Sequence, residues 1–85
     1  MNRLILRYAA GNWWLIMPEQ KSGYIAPLQI NDSAAEMVKY LKEGKSAEEI
    51  ASILSEGDSS LISEITSDVE ALHKSVLNHF KLKTD

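Results

Sequence analysis

The order of residue textures along the chain predicts an α+β fold: a three-stranded antiparallel sheet followed by three helices. Residues 3–30 are rich in aromatic and β-forming side chains, and residues 31–82 are rich in Ala, Glu, Ser, Lys, Leu and Ile. Turn residues at Gly11-Asn12 and Pro18–Gly23 divide the first part. In the second part apolar residues recur every three or four positions. Strands thus precede helices in one unit.

Arg3 to Tyr8 reads as the first strand, and Ala9-Ala10-Gly11-Asn12 as a turn in which Gly11 and Asn12 tolerate positive φ. Trp13 to Met17 reads as the second strand, which Pro18 ends because proline cannot donate to a ladder. Glu19 to Gly23 is a polar loop, and Tyr24 to Ile30 reads as a third strand. Pro27 confines that strand to a sheet edge or a bulge.

Helical periodicity then takes over. Asn31-Asp32-Ser33 is a cap cluster, with Ser33 and Glu36 at capping-box spacing. The first helix is expected to run to about Glu43, with Ala34, Val38 and Leu41 inward, and to stop at Gly44. Ser46-Ala47-Glu48-Glu49 is a second capping box. It opens a helix with Ile50, Ile53 and Leu54 inward and Gly57 at its end. The third helix carries Ile62, Ile65, Val69, Leu72, Val76 and Phe80 on one stripe of about five turns. Lys81 and Lys83 follow it, where positive charge suits the helix dipole. Two short helices and a long one give a winged helix-turn-helix-like arrangement with the strands placed first.

Length and composition set bounds. The 85 residues suffice for one domain, over residues 1–85, that buries roughly 60% of its unfolded surface. The chain is 45% hydrophobic and 25% charged, ordinary for a globular protein. It has no cysteine, which excludes disulfides, thiolate ligands and thiol nucleophiles and fits a reducing cytoplasm. Met1 to Met17 is largely apolar, but Arg7 and Gly11-Asn12 interrupt it. No stretch approaches the roughly 20 apolar residues of a membrane helix. The chain is expected to be cytoplasmic, with no membrane association.

Catalytic and metal motifs are absent from the sequence. His73 and His79 are six residues apart and diverge by about 240° on a helix, so they cannot share a metal by themselves. The acids are spread over helix faces as solvated groups. Gly11, Gly23, Gly44 and Gly57 all fall in turns, so there is no phosphate-binding loop. No catalytic residue, metal site or cofactor is expected, and the chain does not read as an enzyme. Nucleic acid is disfavoured as well. The net charge is −3, the pI about 5.3, and the segment Asp58–Phe80 sets Asp58, Glu64, Asp68 and Glu70 against Lys74 alone.

Two surfaces stand out. The third strand, Tyr24-Ile25-Ala26-Pro27-Leu28-Gln29-Ile30, carries no charge, and natural sheets usually guard or cover such an edge. Left open, it can accept an extended peptide as an added strand; otherwise it is interior or covered by the chain's own terminus. Trp13 and Trp14 are adjacent and so point to opposite sheet faces, one toward the helices and one away. An exposed Trp there suits a homodimer or partner surface; the alternative is cover by the chain's own loops.

These motifs together resemble the PqqD family (pyrroloquinoline-quinone synthesis protein D), the RiPP recognition element. RiPPs are ribosomally made, post-translationally modified peptides. The resemblance spans about Arg3 to Leu82. It rests on Trp14-Leu15-Ile16-Met17-Pro18-Glu19, Leu28-Gln29-Ile30-Asn31-Asp32-Ser33-Ala34 and Val38-Lys39-Tyr40-Leu41-Lys42-Glu43-Gly44-Lys45-Ser46, then Glu48-Glu49-Ile50 with Leu54, and Asp68-Val69 with Leu72 and Leu77. Glu43 stands where the family commonly has Asp. The family's glycine near the end of the last helix is missing from Asn78-His79-Phe80-Lys81-Leu82.

The resemblance implies peptide binding without catalysis. The leader region of a precursor peptide would dock as an added strand on strand three, in a groove walled by the long helix. The strand side would be Tyr24, Ile25, Ala26, Leu28 and Ile30; the helix side would be drawn from Leu61, Ile65, Asp68, Leu72 and His73. The implied partner is a peptide-modifying enzyme such as a radical-SAM maturase or a cyclase/protease. A winged-helix DNA-binding regulator and a dimerising structural subunit are the rival readings.

Overall fold

A computed structural model describes residues 1–20 and 23–82. It shows a three-stranded antiparallel sheet followed by three helices. The sheet has the order β1-β2-β3, with β1 at Ile5–Ala9, β2 at Asn12–Ile16 and β3 at Leu28–Ile30. The helices are α1 at Asp32–Lys42, α2 at Ala47–Leu54 and α3 at Ile62–His79, with a 3-10 turn at Ser59–Leu61 before α3. Lys83 and loop positions 21 and 22 lie outside the described residues.

The β1–β2 hairpin closes on two residues, Ala10 (φ 54°) and Gly11 (φ 80°). Two successive positive φ values make a type I′ loop, whose twist matches the right-handed twist of the strands. The tight turn therefore sits one residue earlier than expected. Asn12 is the first residue of β2, paired with Ala9, and its side chain donates to the Ala10 carbonyl. The strands run one or two residues short of their expected ends, at Ile5 rather than Arg3 and at Ile16 rather than Met17.

The register Leu6↔Leu15, Tyr8↔Trp13, Leu15↔Leu28 and Trp13↔Ile30 puts these side chains on one face. That face packs on the helices. Leu4, Leu15 and Met17 from the sheet region join Val38 of α1, Val76 of α3 and Phe80 in a single buried cluster. Leu6, Ile25, Leu28, Ile30, Leu72 and Leu82 pack around it. The helix-side tryptophan is Trp13, stacked edge-on against Tyr8 with the Lys39 ammonium 4.7 Å from its ring centroid. Trp14 lies on the other face beside Arg7 and Gln29, and its indole N–H donates to the Ala9 carbonyl at 3.0 Å.

β3 is three residues long, not the seven of Tyr24–Ile30. Pro27 has no N–H for the ladder, and the residues before it have other partners. The Gln20 side chain bonds both the N–H and the carbonyl of Ile25, and also the Met17 carbonyl, closing the loop on itself.

Each helix end has a local cause. Asn31 caps α1 through a bond from the Ala34 N–H, so the cap lies two residues before the expected Ser33. Ser46 and Glu49 form the reciprocal capping box of α2. Gly44 (φ 89°) ends α1 in a Schellman turn, with Lys45 N–H on the Tyr40 carbonyl and Gly44 N–H on Leu41. α3 ends identically without a glycine: Lys81 takes φ 55°, its N–H bonds Asn78, and Leu82 N–H bonds Leu77.

Two inward faces differ from expectation. In α1 the buried pair is Ala35 and Val38, with Ala34 and Leu41 half-buried at its flank. In α2 the buried residues are Ile50 and Ala51, with Leu54 half-buried and Ser55 buried just beyond the helix. Ile53 turns outward, 43% exposed, because it lies about 100° behind Leu54 on the helix. Small Ala51 lets α2 lie close to α3.

Ala10→Asn gives the hairpin the residue that best tolerates its first loop position. It is expected to stabilise the fold by about 0.5–1 kcal/mol, a rise of several degrees in Tm by thermal denaturation. The Glu49 carboxyl is held below its ordinary value by the Ser46 N–H and hydroxyl, and Asp58 by the Ser60 hydroxyl and N–H. A depressed carboxylate adds stability above its unfolded pKa and loses it as pH falls through the folded pKa. Thermal melts from pH 7 to pH 3 should therefore drop less steeply in Glu49→Gln/Asp58→Asn than in the wild type.

Candidate functional site

The sheet has two outer edges. The β1 edge carries Arg7 at its centre, and the Lys42 ammonium reaches the Leu4 carbonyl just before it at 2.7 Å. A charge in an edge strand opposes pairing with another chain. β3 pairs with β2 on one side only, and Leu28-Gln29-Ile30 brings no charge to its other side. Among the described residues, this is the edge that lacks a guard.

α3 runs beside β3 in the opposite direction. At one end the His79 Nε2–H donates to the Ala26 carbonyl at 2.8 Å. At the other, Ile65 shares a shallow apolar depression with Ser33, Glu36, Met37 and Leu54. From His79 to Ile65 is fourteen helical residues, about 21 Å. From Ala26 to Ser33 is seven residues, roughly 20 Å of mostly extended chain. α3 is thus tied to the chain just before β3 at His79 and meets α1 and α2 at Ile65.

The His79 bond also fixes which flank of α3 turns toward β3. At about 100° per residue, Leu61, Asp68 and Leu72 fall within about 20° of His79 around the axis. Leu61 and Asp68 are exposed and Leu72 is half-buried against the central cluster. These three expected wall residues thus share a flank. His73 does not: it lies about 120° around the helix from His79. That is the flank of buried Leu77, which lies outside the central cluster. Of the two histidines it is His79, not His73, that shares the flank of Leu61, Asp68 and Leu72. The divergence that rules out a shared metal already implied that only one histidine could face the strand.

The strand-side residues separate into two groups. Leu28 and Ile30 are in β3, half-buried, with their side chains on the helix-facing side. Ile25 is half-buried against the same cluster, but Tyr24, Ile25 and Ala26 are outside the ladder. Tyr24 is 79% exposed and lines a hollow of about 220 Å³ with Arg3, Glu19 and Lys81. Ile65 is half-buried in the depression at the far end.

The arrangement suits recognition through main-chain bonds and apolar contact. No group of three His, Asp or Glu among the described residues could hold a metal. No buried side-chain polar atom among them is left without a partner. The two carboxylates with lowered pKa, Glu49 and Asp58, are occupied as caps. No helix among the described residues is long and apolar enough to cross a membrane. Comparison of the chain with family models, curated proteins and solved structures returned no match.

Proposed function

We propose that this protein is a non-catalytic recognition domain that binds the leader region of a ribosomal precursor peptide and presents it to a modifying enzyme. The single observation that carries the reading is the uncharged outer edge of β3, which pairs with β2 on one side only and has α3 tied to the chain just before it through His79 and Ala26. The order of sequence motifs that resembles the PqqD family supports the peptide as the occupant. The partner enzyme in such a system is a radical-SAM maturase or a cyclase/protease, working in the cytoplasm. Binding raises the effective concentration of the peptide at that enzyme without any bond chemistry here.

The length of β3 limits what main-chain pairing contributes. Three residues offer two or three outward bonds, each worth about 1 kcal/mol net. A micromolar complex needs about 8 kcal/mol. Apolar side chains of the peptide on Leu28, Ile30 and Leu72 must supply most of the affinity, so selectivity lies in those pockets.

A second reading, a dimer formed through the sheet, has one observation in its favour. Ile5 and Ile16 are paired on the outer face with Trp14 as neighbour, and Ile5 is 38% exposed. Light scattering at micromolar concentration distinguishes it: a monomer removes the dimer reading.

Leu28→Asp should abolish binding of the leader segments of short peptides encoded beside this gene, measured by calorimetric titration. Leu28 also packs on the core, so that variant is expected to lose about 2 kcal/mol of stability. Asp68→Arg, at an exposed position on the same α3 flank, should weaken binding severalfold while leaving the melting temperature within a few degrees of wild type. Unchanged binding in both folded variants would place the peptide elsewhere on the protein.

A further inference from the structure

The charges flanking the β3–α3 groove are segregated. At the Ile65 end, Glu36 of α1 lines the depression, and Glu64 and Asp68 stand within one turn of Ile65 on α3. Glu64 lies about 60° around the helix from His79, and Asp68 about 20°. Among the described residues none of these three acids is in an ion pair; the ion pair found there is Lys45–Glu43. The nearby cations are engaged elsewhere: Lys39 sits over Trp13, and Lys42 bonds the Leu4 carbonyl. At the Tyr24 end the balance reverses, with Arg3 and Lys81 lining the hollow against Glu19 alone.

An added strand has a direction. Every pairing in this sheet is antiparallel, and antiparallel ladders are the more stable per residue. β3 runs from the Tyr24 end toward the Ile65 end. A peptide paired antiparallel to it therefore places its amino-terminal flank beside the acids and its carboxy-terminal flank beside Arg3 and Lys81. We infer that the groove selects an extended peptide that is basic before its apolar docking segment and acidic after it. This rests on the strand-addition reading and adds to it the charge pattern and direction of the ligand.

The pattern discriminates by charge complementarity at a solvated rim. Each pair at such a rim is a weak, screened interaction, so two pairs give a preference of about three- to thirtyfold. Because the rim is exposed, salt screens it, with a Debye length of about 8 Å at physiological strength. The central apolar segment, in contrast, keeps its contribution as salt rises.

The test is selection from a displayed random library of 12-residue peptides against the whole protein at low salt, with recovered sequences aligned on their apolar segment. The expected result is an excess of Lys and Arg over Asp and Glu of about fivefold or more before that segment, and the opposite after it. Repeating the selection on Glu64→Lys/Asp68→Lys should remove the basic preference while still recovering the same apolar segments. Apolar segments without charge order, or with the reverse order, would overturn the inferred polarity and leave strand addition standing. Recovery of the same peptides by Leu28→Asp, or of no peptides by the wild type, would overturn the docking reading itself and the polarity with it.

Discussion

One buried cluster holds the sheet against α1 and the end of α3. Leu15 of β2 has no exposed surface and shares this cluster with Leu4, Met17, Val38, Val76 and Phe80. The sheet, α1 and the end of α3 are thus joined through six side chains in a chain of 85 residues. Truncating a residue such as Leu15 to Ala costs about 2–5 kcal/mol, against a total stability of about 5–15 kcal/mol for a domain. The hairpin register decides that this cluster forms at all. A slip of one residue would turn Trp14 and Ile16 inward and Leu15 outward.

The same constraint builds the candidate site. Leu28 and Ile30 are drawn onto the sheet because they face the cluster on the helix side, and Leu72 is drawn to it from α3. Pro27 and the Gln20 clamp on Ile25 keep the ladder from extending further toward the loop. The result is a short edge whose outer side is unpaired, and a helix flank that the His79–Ala26 bond holds alongside it. The core fixes the relative position of β3 and α3, because Leu28, Ile30 and Leu72 all pack against it.

Much of the fold was legible in the sequence because periodicity records burial. The stripe Val69, Val76 and Phe80 marked the core face of α3, and Ser46–Glu49 marked the start of α2. What failed were features decided by tertiary contact. The length of β3 depended on a glutamine side chain five residues before Ile25, which no strand pattern reveals. Ile53 was expected inward from its side chain alone, yet close packing of α2 on α3 chose Ala51 instead. Lys81 adopted the left-handed conformation that a glycine usually supplies, so the helix stop was intact without its sequence mark. The helix-side candidates followed from the resemblance and from the need for a partly apolar, partly exposed surface, and that criterion does not reveal that His79, not His73, bonds Ala26.

The most direct test of peptide recognition at β3 is an amide NMR titration of the folded protein with the leader segments of peptides encoded beside its gene. Strand addition is expected to give saturable shifts concentrated on Ala26–Ile30 and on the α3 flank of Leu61, Asp68, Leu72 and His79. Shifts confined to Ile5, Trp14 and Ile16 on the outer sheet face, or none with any such peptide, would contradict it.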